Sequence, residues 1–355
     1  IRYTVLPYRG FESLLLRQDE TPSDGITWVF FCFSVALSPG IVMTPRINIL
    51  SLLLAASPFM AQGSQAQDAP APKCAMKPAF QQADKDAPGK FTPVWADAAG
   101  NLMFIEKLNV NTDGTRRSYA VDDFWGQTRA LNNLCNAMSD ACAGLDEPGL
   151  RARRIATQSA AQANWPADQL AKTRLSPSII PLKNGKPCPA VDGYLVSATA
   201  LHIAKVTDVC DLNSYVDALK TPALVIPKSK PGQPSQFQAR NVRVGDLVAA
   251  MRIDQSQPLM AVVGDSGPVD SLGEASIAMN GRLLGKAAEP VNYKEVKTWV
   301  VPRTFVLIFA GSRNTAQPYL STDRIDPDAG ERFQAWGGVA RAQSCVADYL
   351  KAKPN

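Results

Sequence analysis

The second half of the chain alternates between short apolar segments and short polar ones that contain glycine or proline. The clearest apolar segments are TPALVIP (221–227), VRVGDLVAAMRI (242–253), PLMAVVGD (258–265) and TWVVPRTFVLIFAG (298–311). SIIPL and DGYLVSATAL, further upstream, follow the same pattern. Short runs rich in Val, Ile and Leu between turn residues are typical of β-strands. Six or more such strands predict a small closed β-barrel, so the expected fold class is mainly β with helices.

Helical and hairpin patterns surround these strands. FTPVWADAAGNLMFIEKLNV (91–110) predicts a β-hairpin with its turn at Gly100. Apolar residues at helical spacing predict a helical insert from about 128 to 170, and a C-terminal helix in GERFQAWGGVARAQSCVADYLK. In SLGEASIAMNGRLLG, Ser271 is the predicted N-cap of a helix that ends at Gly285. The barrel is therefore expected to carry a helical insert and a C-terminal helix.

The residues before 91 are expected to lie outside the folded domain. A basic start after Met43, an apolar run and small residues predict a secretory signal peptide over 43–66. Residues 1–42 are interpreted as upstream translation that is not part of the native protein. Residues 67–90, rich in Ala, Pro, Gln and Asp, predict a linker, which leaves 91–355 as the functional domain. Cleavage would release a secreted or periplasmic protein without a membrane anchor.

Cysteine usage agrees with export. One of the seven cysteines, Cys32, precedes the predicted signal peptide, and the other six lack the C-x-x-C spacing of zinc sites. An even set in an exported protein predicts three disulfides and no metal centre. The sequence leaves the connectivity open; if Cys135 and Cys142 share one helix, a rise of about 10 Å separates them, which is too far for a bridge. The six are Cys74, Cys135, Cys142, Cys188, Cys210 and Cys345.

Composition and charge exclude disorder but say little about partners. Hydrophobic residues make up 46% of the chain and charged residues 19%, which is a globular composition. The formal net charge is +5 and the charges are dispersed. The basic run RARR (151–154) lies in a predicted helix, where a solvated face is favoured over a nucleic-acid interface. We expect a monomer that binds no nucleic acid and needs no organic cofactor.

The strongest candidate for chemistry is PLMAVVGDSGPVDSLGEASIAM (258–279). Its apolar strand ends at Asp265, a Gly/Pro/Asp turn follows, and Glu274 opens the next element. Two carboxyls that face each other across a tight reversal suit the hydrolysis of a glycosidic bond. One must stay protonated to assist the leaving group, and the other must stay ionised to act on water or the sugar. Asp265 and Glu274 are therefore the predicted catalytic pair.

Two other interpretations of this segment compete with catalysis by the pair. A glutamate in the first turn of a helix, as predicted for Glu274, also stabilises the helix dipole without any catalytic role. GDSGP resembles the nucleophile motif of trypsin-like serine proteases, with Ser266 and His202 as candidates, but one glycine of that motif is missing. The interval between His202 and Ser266 is also too short for two six-stranded barrels. A protease is therefore disfavoured, and His202 is expected to be a polar residue at a strand end.

Several segments resemble, in order, glycoside hydrolase family 75, the fungal-type chitosanases and their bacterial relatives. These segments are DGYLVSATAL, YVDALKTPALVIP, GDLVAA, AVVGDSGPVDSLGEASIAM, TFVLIFAGS and FQAWGGVARAQSC, which together span 191–345. Asp265 and Glu274 coincide with the two acids that this family uses in catalysis. NVNTDGTRRSYAVDDFWG and ALNNLCNA are similar to the N-terminal part of the bacterial members.

The resemblance implies an endo-acting, inverting hydrolase of the β-1,4 linkages of chitosan, with 91–355 as its catalytic domain. It also implies a six-stranded, double-psi-like barrel similar to that of the inverting family 45 endoglucanases. The two carboxyls of an inverting enzyme lie about 6.5–9.5 Å apart. Which acid donates the proton stays open: a helix dipole favours Glu274 as the base, whereas its longer side chain favours proton donation. A non-catalytic glycan-binding barrel and a peptidoglycan-cleaving enzyme are the alternative functions.

Chitosan carries ammonium groups, so the substrate cleft is expected to be locally acidic. The candidate lining residues are Asp113, Asp122, Asp123, Asp192 and Asp270, with Ser266 as a substrate-binding residue or one that orients the turn. Asp113 is the best of these through the resemblance of DGTRRSY, although an ordinary Asp-Gly turn would also place an aspartate there. Trp125 and Trp336 are candidates for stacking on sugar rings, but core packing is favoured for both.

Overall fold

Six strands close into a barrel in the computed structural model, which describes residues 72–83 and 89–352. The predicted signal peptide (43–66) and the segment 1–42 lie outside the described residues. The strands are β1 (Lys77–Ala83), β2 (Phe91–Ala96), β3 (Leu102–Asn111), β4 (Leu182–Lys183), β5 (Lys186–Pro187), β6 (Ala223–Pro227), β7 (Leu247–Arg252), β8 (Leu259–Gly267), β9 (Glu274–Ser276) and β10 (Val301–Ile308). The helices are α1 (Glu147–Gln162), α2 (Ala167–Thr173), α3 (Ile277–Leu283), α4 (Tyr293–Val296), α5 (Thr322–Trp336) and α6 (Gly338–Ala352).

The barrel strands follow the order β3, β10, β7, β8, β6 and β9, and β9 returns to pair with β3. β6 runs parallel to β8 and β3 runs parallel to β9, whereas the other neighbouring barrel strands are antiparallel. β1 and β2 extend the sheet outward from β3. Closure removes the free edges of these six strands. The predicted closed six-stranded barrel with helices is confirmed.

Side chains on the barrel strands alternate between two cores. Leu102 and Phe104 of β3 are fully buried in a cluster to which all six barrel strands contribute, and this cluster is the barrel interior. Met103 and Ile105, their neighbours on the same strand, point outward and pack against α5 and α6. Fully burying one such side chain contributes about 1.5–3 kcal/mol to stability. The period of two that predicted the strands therefore also decides which residues meet the helices.

The C-terminal region forms two helices where the sequence predicted one. Gly337 has a φ of +121°, which ends α5 one residue before α6 begins. Ile325, Ala329 and Phe333 of α5 share one buried face and cover the outer side of the barrel. The apolar pattern thus identified helical structure correctly, and the pair of glycines divides it.

The predicted linker is wrong over residues 77–83, which form β1. This strand pairs antiparallel with β2, and Cys74 just before it forms a disulfide with Cys345 of α6. The ring of Phe80 packs edge-on against Phe237, with the centroids 5.3 Å apart. Strand pairing and the disulfide are long-range effects that override the local composition.

The helical insert is shorter than the sequence predicted. Residues 128–146 form turns and a 3₁₀ helix (Leu134–Ala137), and the α-helices begin only at α1. Cys135 and Cys142 form a disulfide with their Cα atoms 5.4 Å apart, which a shared helix would not have allowed. The two cysteines do not share a helix, because Ala141 and Cys142 adopt positive φ angles and turn the chain back.

Cys188–Cys210 is the third disulfide of the described residues, in agreement with the three predicted. Disulfides of this kind form and persist in oxidising compartments. No helix within 72–83 or 89–352 is both long enough and apolar enough to cross a membrane.

Candidate active site

Glu274 lies on β9, between β3 and β6, and not in the first turn of a helix. Gly273 reorients the chain just before this strand with a φ of +91°. The following helix, α3, has Ser276 as its N-cap, whose Oγ accepts the N–H of Met279 at 3.1 Å. The predicted cap at Ser271 is therefore wrong, because pairing on both sides holds β9 extended. A helix dipole consequently gives no reason for Glu274 to stay ionised.

Asp265 and Glu274 flank Val225 on the outer face of the barrel. Leu224 and Ala275 pair with each other and belong to the barrel interior, so the next pair, Val225 and Glu274, faces outward. Val225 also pairs with Asp265 of β8, beyond an irregularity in the β6–β8 register. Two interstrand spacings of about 4.8 Å place the Cα atoms of the two acids about 9–10 Å apart. The predicted catalytic pair thus shares one surface.

Asp265 is anchored through one of its two carboxyl oxygens. Its Oδ1 accepts the backbone N–H groups of Ala200 at 2.9 Å and Ser266 at 2.8 Å. Burial, the largest influence, raises the pKa of Asp265 to about 6, and the negative charge of Glu274 adds to this rise while the two N–H groups oppose it. Oδ2 receives no hydrogen bond from the described residues and is free to carry a proton. The side chain nonetheless keeps some exposure to solvent.

Asp113 is a third carboxyl at the same place. It lies on the turn after β3, and its Oδ1 is 2.7 Å from the hydroxyl oxygen of Tyr119 and 3.4 Å from that of Ser197. Burial, followed by the negative charge of Asp265, raises the pKa of Asp113 to about 7, and Glu274 adds to the rise. The structure therefore brings this predicted cleft residue together with the predicted catalytic pair.

The other predicted substrate-binding residues take different positions. Ser266 lies on β8 beside Asp265 and donates its backbone N–H to it. Asp123 is buried, and its carboxylate accepts the backbone N–H groups of four loop residues (127–130). This side chain therefore stabilises the loop and is not placed to contact substrate. Asp192 is exposed in a turn at 191–194.

The remaining candidate residues either pack in the core or lie on the surface. Trp336 packs in the outer core and donates its indole N–H to Asp97 at 3.0 Å, as core packing predicts. Trp125 packs edge-on against Phe124, with ring centroids 4.7 Å apart. Asp122 forms an ion pair with Arg129, and Asp270 is exposed. His202 is exposed, and its Nδ1 lies 3.0 Å from the carbonyl oxygen of Ala200.

Tyr119, Ser197 and Ala200 are the site residues that the sequence analysis missed. Ser197 and Ala200 lie in DGYLVSATAL, which was predicted to be a strand but instead forms an irregular segment. This segment reaches from Asp113 to β8, where the N–H of Leu201 bonds to the carbonyl oxygen of Gly264 at 3.0 Å. The contacts of Ser197 and Ala200 with the acids cross 84 and 65 residues of sequence, so no local pattern could reveal them.

Among the described residues, no group of three or more His, Cys, Asp or Glu side chains is placed to hold a metal ion. No protein-family model matches the chain, and the curated proteins give no match to it. The similarity to glycoside hydrolase family 75, and that of the barrel to family 45 endoglucanases, therefore stay predictions that depend on the segments quoted above.

Proposed function

We propose that the protein is an inverting glycoside hydrolase, and that Asp265 and Glu274 are its general acid and general base. The observation that carries this proposal is the placement of the two acids on either side of Val225, on an outward-facing surface. A Cα separation of about 9–10 Å lets carboxyl groups reach the 6.5–9.5 Å of inverting enzymes. That separation leaves room for one water molecule beside the sugar.

The environment of Asp265 suggests its role. Asp265, with its pKa raised to about 6, keeps a proton in mildly acidic solution and is suited to protonate the glycosidic oxygen. Glu274, the other member of the pair, takes a proton from the attacking water in this scheme. The C1–oxygen bond breaks as the water oxygen attacks from the opposite face, which inverts the anomeric centre.

Chitosan is the substrate class that we propose. Three acidic side chains, Asp113, Asp265 and Glu274, lie on this face although the whole chain carries +5, and Glu274 is the one that stays ionised in this scheme. A local negative field attracts a polymer that carries ammonium groups. We further propose that the protein is secreted or periplasmic and acts as a monomer, and its three disulfides support an oxidising compartment.

Deacetylated chitosan is expected to release reducing ends when treated with purified protein that begins near Gln67. The reason is the acidic, two-carboxyl surface, and a colorimetric reducing-end assay measures the outcome. Acetylated chitin and peptidoglycan, assayed in parallel, serve as controls and are expected to release less. Release from the acetylated polymers alone would favour a peptidoglycan-cleaving enzyme. Binding to chitosan without any release would indicate a glycan-binding barrel and contradict the proposal.

A further inference from the structure

One residue of β8 breaks the alternation of side chains along this strand. Val262 belongs to the outer core and Val263 to the barrel interior. A regular strand would therefore place Gly264 outward and Asp265 inward. Asp265 instead pairs with Val225 on the outer surface, because the pairing with β6 skips Gly264. Gly264 is thus the extra residue of a β-bulge, which turns the candidate acid from one face of the sheet to the other.

The bulge also binds the irregular segment that crosses it. The N–H of Leu201 donates to the carbonyl oxygen of Gly264 at 3.0 Å. The preceding N–H, that of Ala200, donates to Oδ1 of Asp265 at 2.9 Å. Thr199 fixes this segment in turn, because its hydroxyl donates to the carbonyl oxygen of Leu201 at 2.8 Å. Two successive N–H groups therefore hold two successive residues of β8, and the second of these is the candidate acid.

Space, and not backbone conformation, requires a glycine in the bulge. The φ of Gly264 is not positive, so other residues could adopt its backbone conformation. A Cβ at this position, however, would lie 2.6 Å from the Cβ of Ala223 on β6. The methyl group of Ala223 has no rotatable bond that could move it aside. The N–H of Ala223 also donates to Oγ of Ser276 at 2.9 Å, which holds β6 against β9. A side chain at position 264 would therefore displace the bulge.

We propose that Gly264 is a positioning residue, whose lack of a side chain permits the bulge that turns Asp265 onto the surface it shares with Glu274. The inference rests on the proposed function, in which Asp265 is the general acid. Gly264 acts through Asp265 and has no role of its own in the chemistry. Displacement of the bulge moves the carboxyl of Asp265 relative to Glu274 and weakens its hydrogen bond from Ala200.

Gly264→Ala is expected to lower kcat on chitosan by about 10–100-fold with a smaller change in KM. A shift of about 1 Å in a catalytic group costs up to about 10²-fold, and binding of the polymer elsewhere on the surface is left unchanged. The reducing-end assay over a range of chitosan concentrations separates the two constants.

The pH profile of kcat distinguishes positioning of the acid from a general loss of structure. The N–H of Ala200 favours the ionised carboxyl, so its loss raises the pKa of Asp265 further. Since the general acid must be protonated, the alkaline limb of Gly264→Ala is expected to move up by about 0.5–1 unit. The ionisable side chains that act on Asp265 are Glu274 of β9 and Asp113 of the turn after β3, and the substitution leaves both in the chain.

The double variant Ala223→Gly/Gly264→Ala moves the methyl group from β6 to β8. The clash is then removed, because the next neighbours of the new Cβ lie at ordinary contact distances of 3.7 and 3.8 Å. This variant is expected to regain most of the lost kcat, relative to Ala223→Gly, and to return the alkaline limb to its wild-type position.

Gly281→Ala is the matched control for overpacking. A Cβ at Gly281 of α3 would lie 2.8 Å from Cζ3 of Trp299, which belongs to a separate hydrophobic cluster. This variant is expected to lose stability while the alkaline limb stays in place, since the bulge is unchanged. Circular dichroism reports the folded fraction of each variant, so that kcat can be compared per folded molecule.

A ¹³C titration of Asp265 measures the same shift without turnover. The inference is overturned if Gly264→Ala leaves kcat and this titration unchanged, or if Ala223→Gly fails to restore them. With an active wild type, either result leaves the proposed function intact. If Gly264→Ala does not fold, a folded and active double variant supports the inference and an unfolded one overturns it. If the wild type releases no reducing ends, the proposed function fails, whereas a titration that shifts in Gly264→Ala and returns in the double variant supports the positioning of Asp265 by the bulge.

Discussion

Asp265→Asn and Glu274→Gln are each expected to lower kcat on chitosan by about 10²–10⁴-fold, the usual contribution of one general acid or base. Asparagine cannot deliver a proton to the leaving oxygen, and glutamine cannot remove one from water. Both replacements keep the shape of the side chain, so the barrel is expected to fold as before. A reducing-end assay over a range of chitosan concentrations measures the effect and separates kcat from KM.

The chain offers a matched control for each of these variants. Asp348→Asn on α6 and Glu331→Gln on α5 make the same chemical changes on exposed helix faces. Both are expected to retain wild-type activity. Circular dichroism of all four variants reports whether the fold is intact. Full activity in either Asp265→Asn or Glu274→Gln would exclude that residue from the proposed mechanism.

Gly114→Ala is expected to destabilise the protein by about 3 kcal/mol and to reduce activity with it. Gly114 has a φ of +85°, where a side chain adds strain of about 1–2 kcal/mol. A Cβ there would lie 2.1 Å from the carbonyl oxygen of Val216 and 2.5 Å from Cγ2 of Thr199. Overpacking of this kind costs about 1–3 kcal/mol, and relief requires the backbone beside Asp113 to move. Urea unfolding of wild type and variant measures the free-energy difference.

Gly100→Ala separates backbone strain from the steric effect. Gly100 has a φ of +86° in the β2–β3 turn, yet no atom lies within 4 Å of the position of its Cβ. This variant is therefore expected to lose only the strain of about 1–2 kcal/mol and to keep its activity. Equal losses of stability in Gly114→Ala and Gly100→Ala would mean that the close approach to Val216 has no energetic effect.

The strands were predictable because their side chains obey a period of two that burial enforces. Val306 and Ile308 of β10 face the barrel interior while Phe305 and Leu307 face α5 and α6, so the apolar run reads as a strand buried on both sides. The β2–β3 hairpin was predictable for a similar reason, because a turn residue at Gly100 separates its two apolar runs. The local pattern of apolar and polar residues was therefore enough to predict most of the barrel strands.

The element that holds Glu274 could not be predicted from the same local signals. Ser271 and Ser276 are both competent N-caps, and only pairing of β9 with β3 and β6 selects the second. The Cys135–Cys142 disulfide was likewise missed because the helical pattern of this segment gives way to turns.

The acids of the candidate site were predictable from the sequence, but the residues that form hydrogen bonds to them were not. Asp265 and Glu274 stand out as acids on either side of a turn, and Asp113 was selected through the resemblance of DGTRRSY, since its Asp-Gly motif alone indicates only a turn. Tyr119 and Ser197 look like ordinary residues of apolar segments until the fold places them against Asp113. Contacts across such distances in sequence leave no trace in periodicity or composition.

In the proposed mechanism, Asp265 and Glu274 act from opposite sides of a sugar ring with one water molecule between ring and base. Proton NMR during the first minutes of hydrolysis of a chitosan oligosaccharide tests this directly, because it resolves the anomers before they interconvert. Inversion by this pair is expected to give the α-anomer of the new reducing end first from the β-linked substrate. Initial formation of the β-anomer would require a second carboxyl close enough to attack the sugar, and would exclude an inverting role for Asp265 and Glu274.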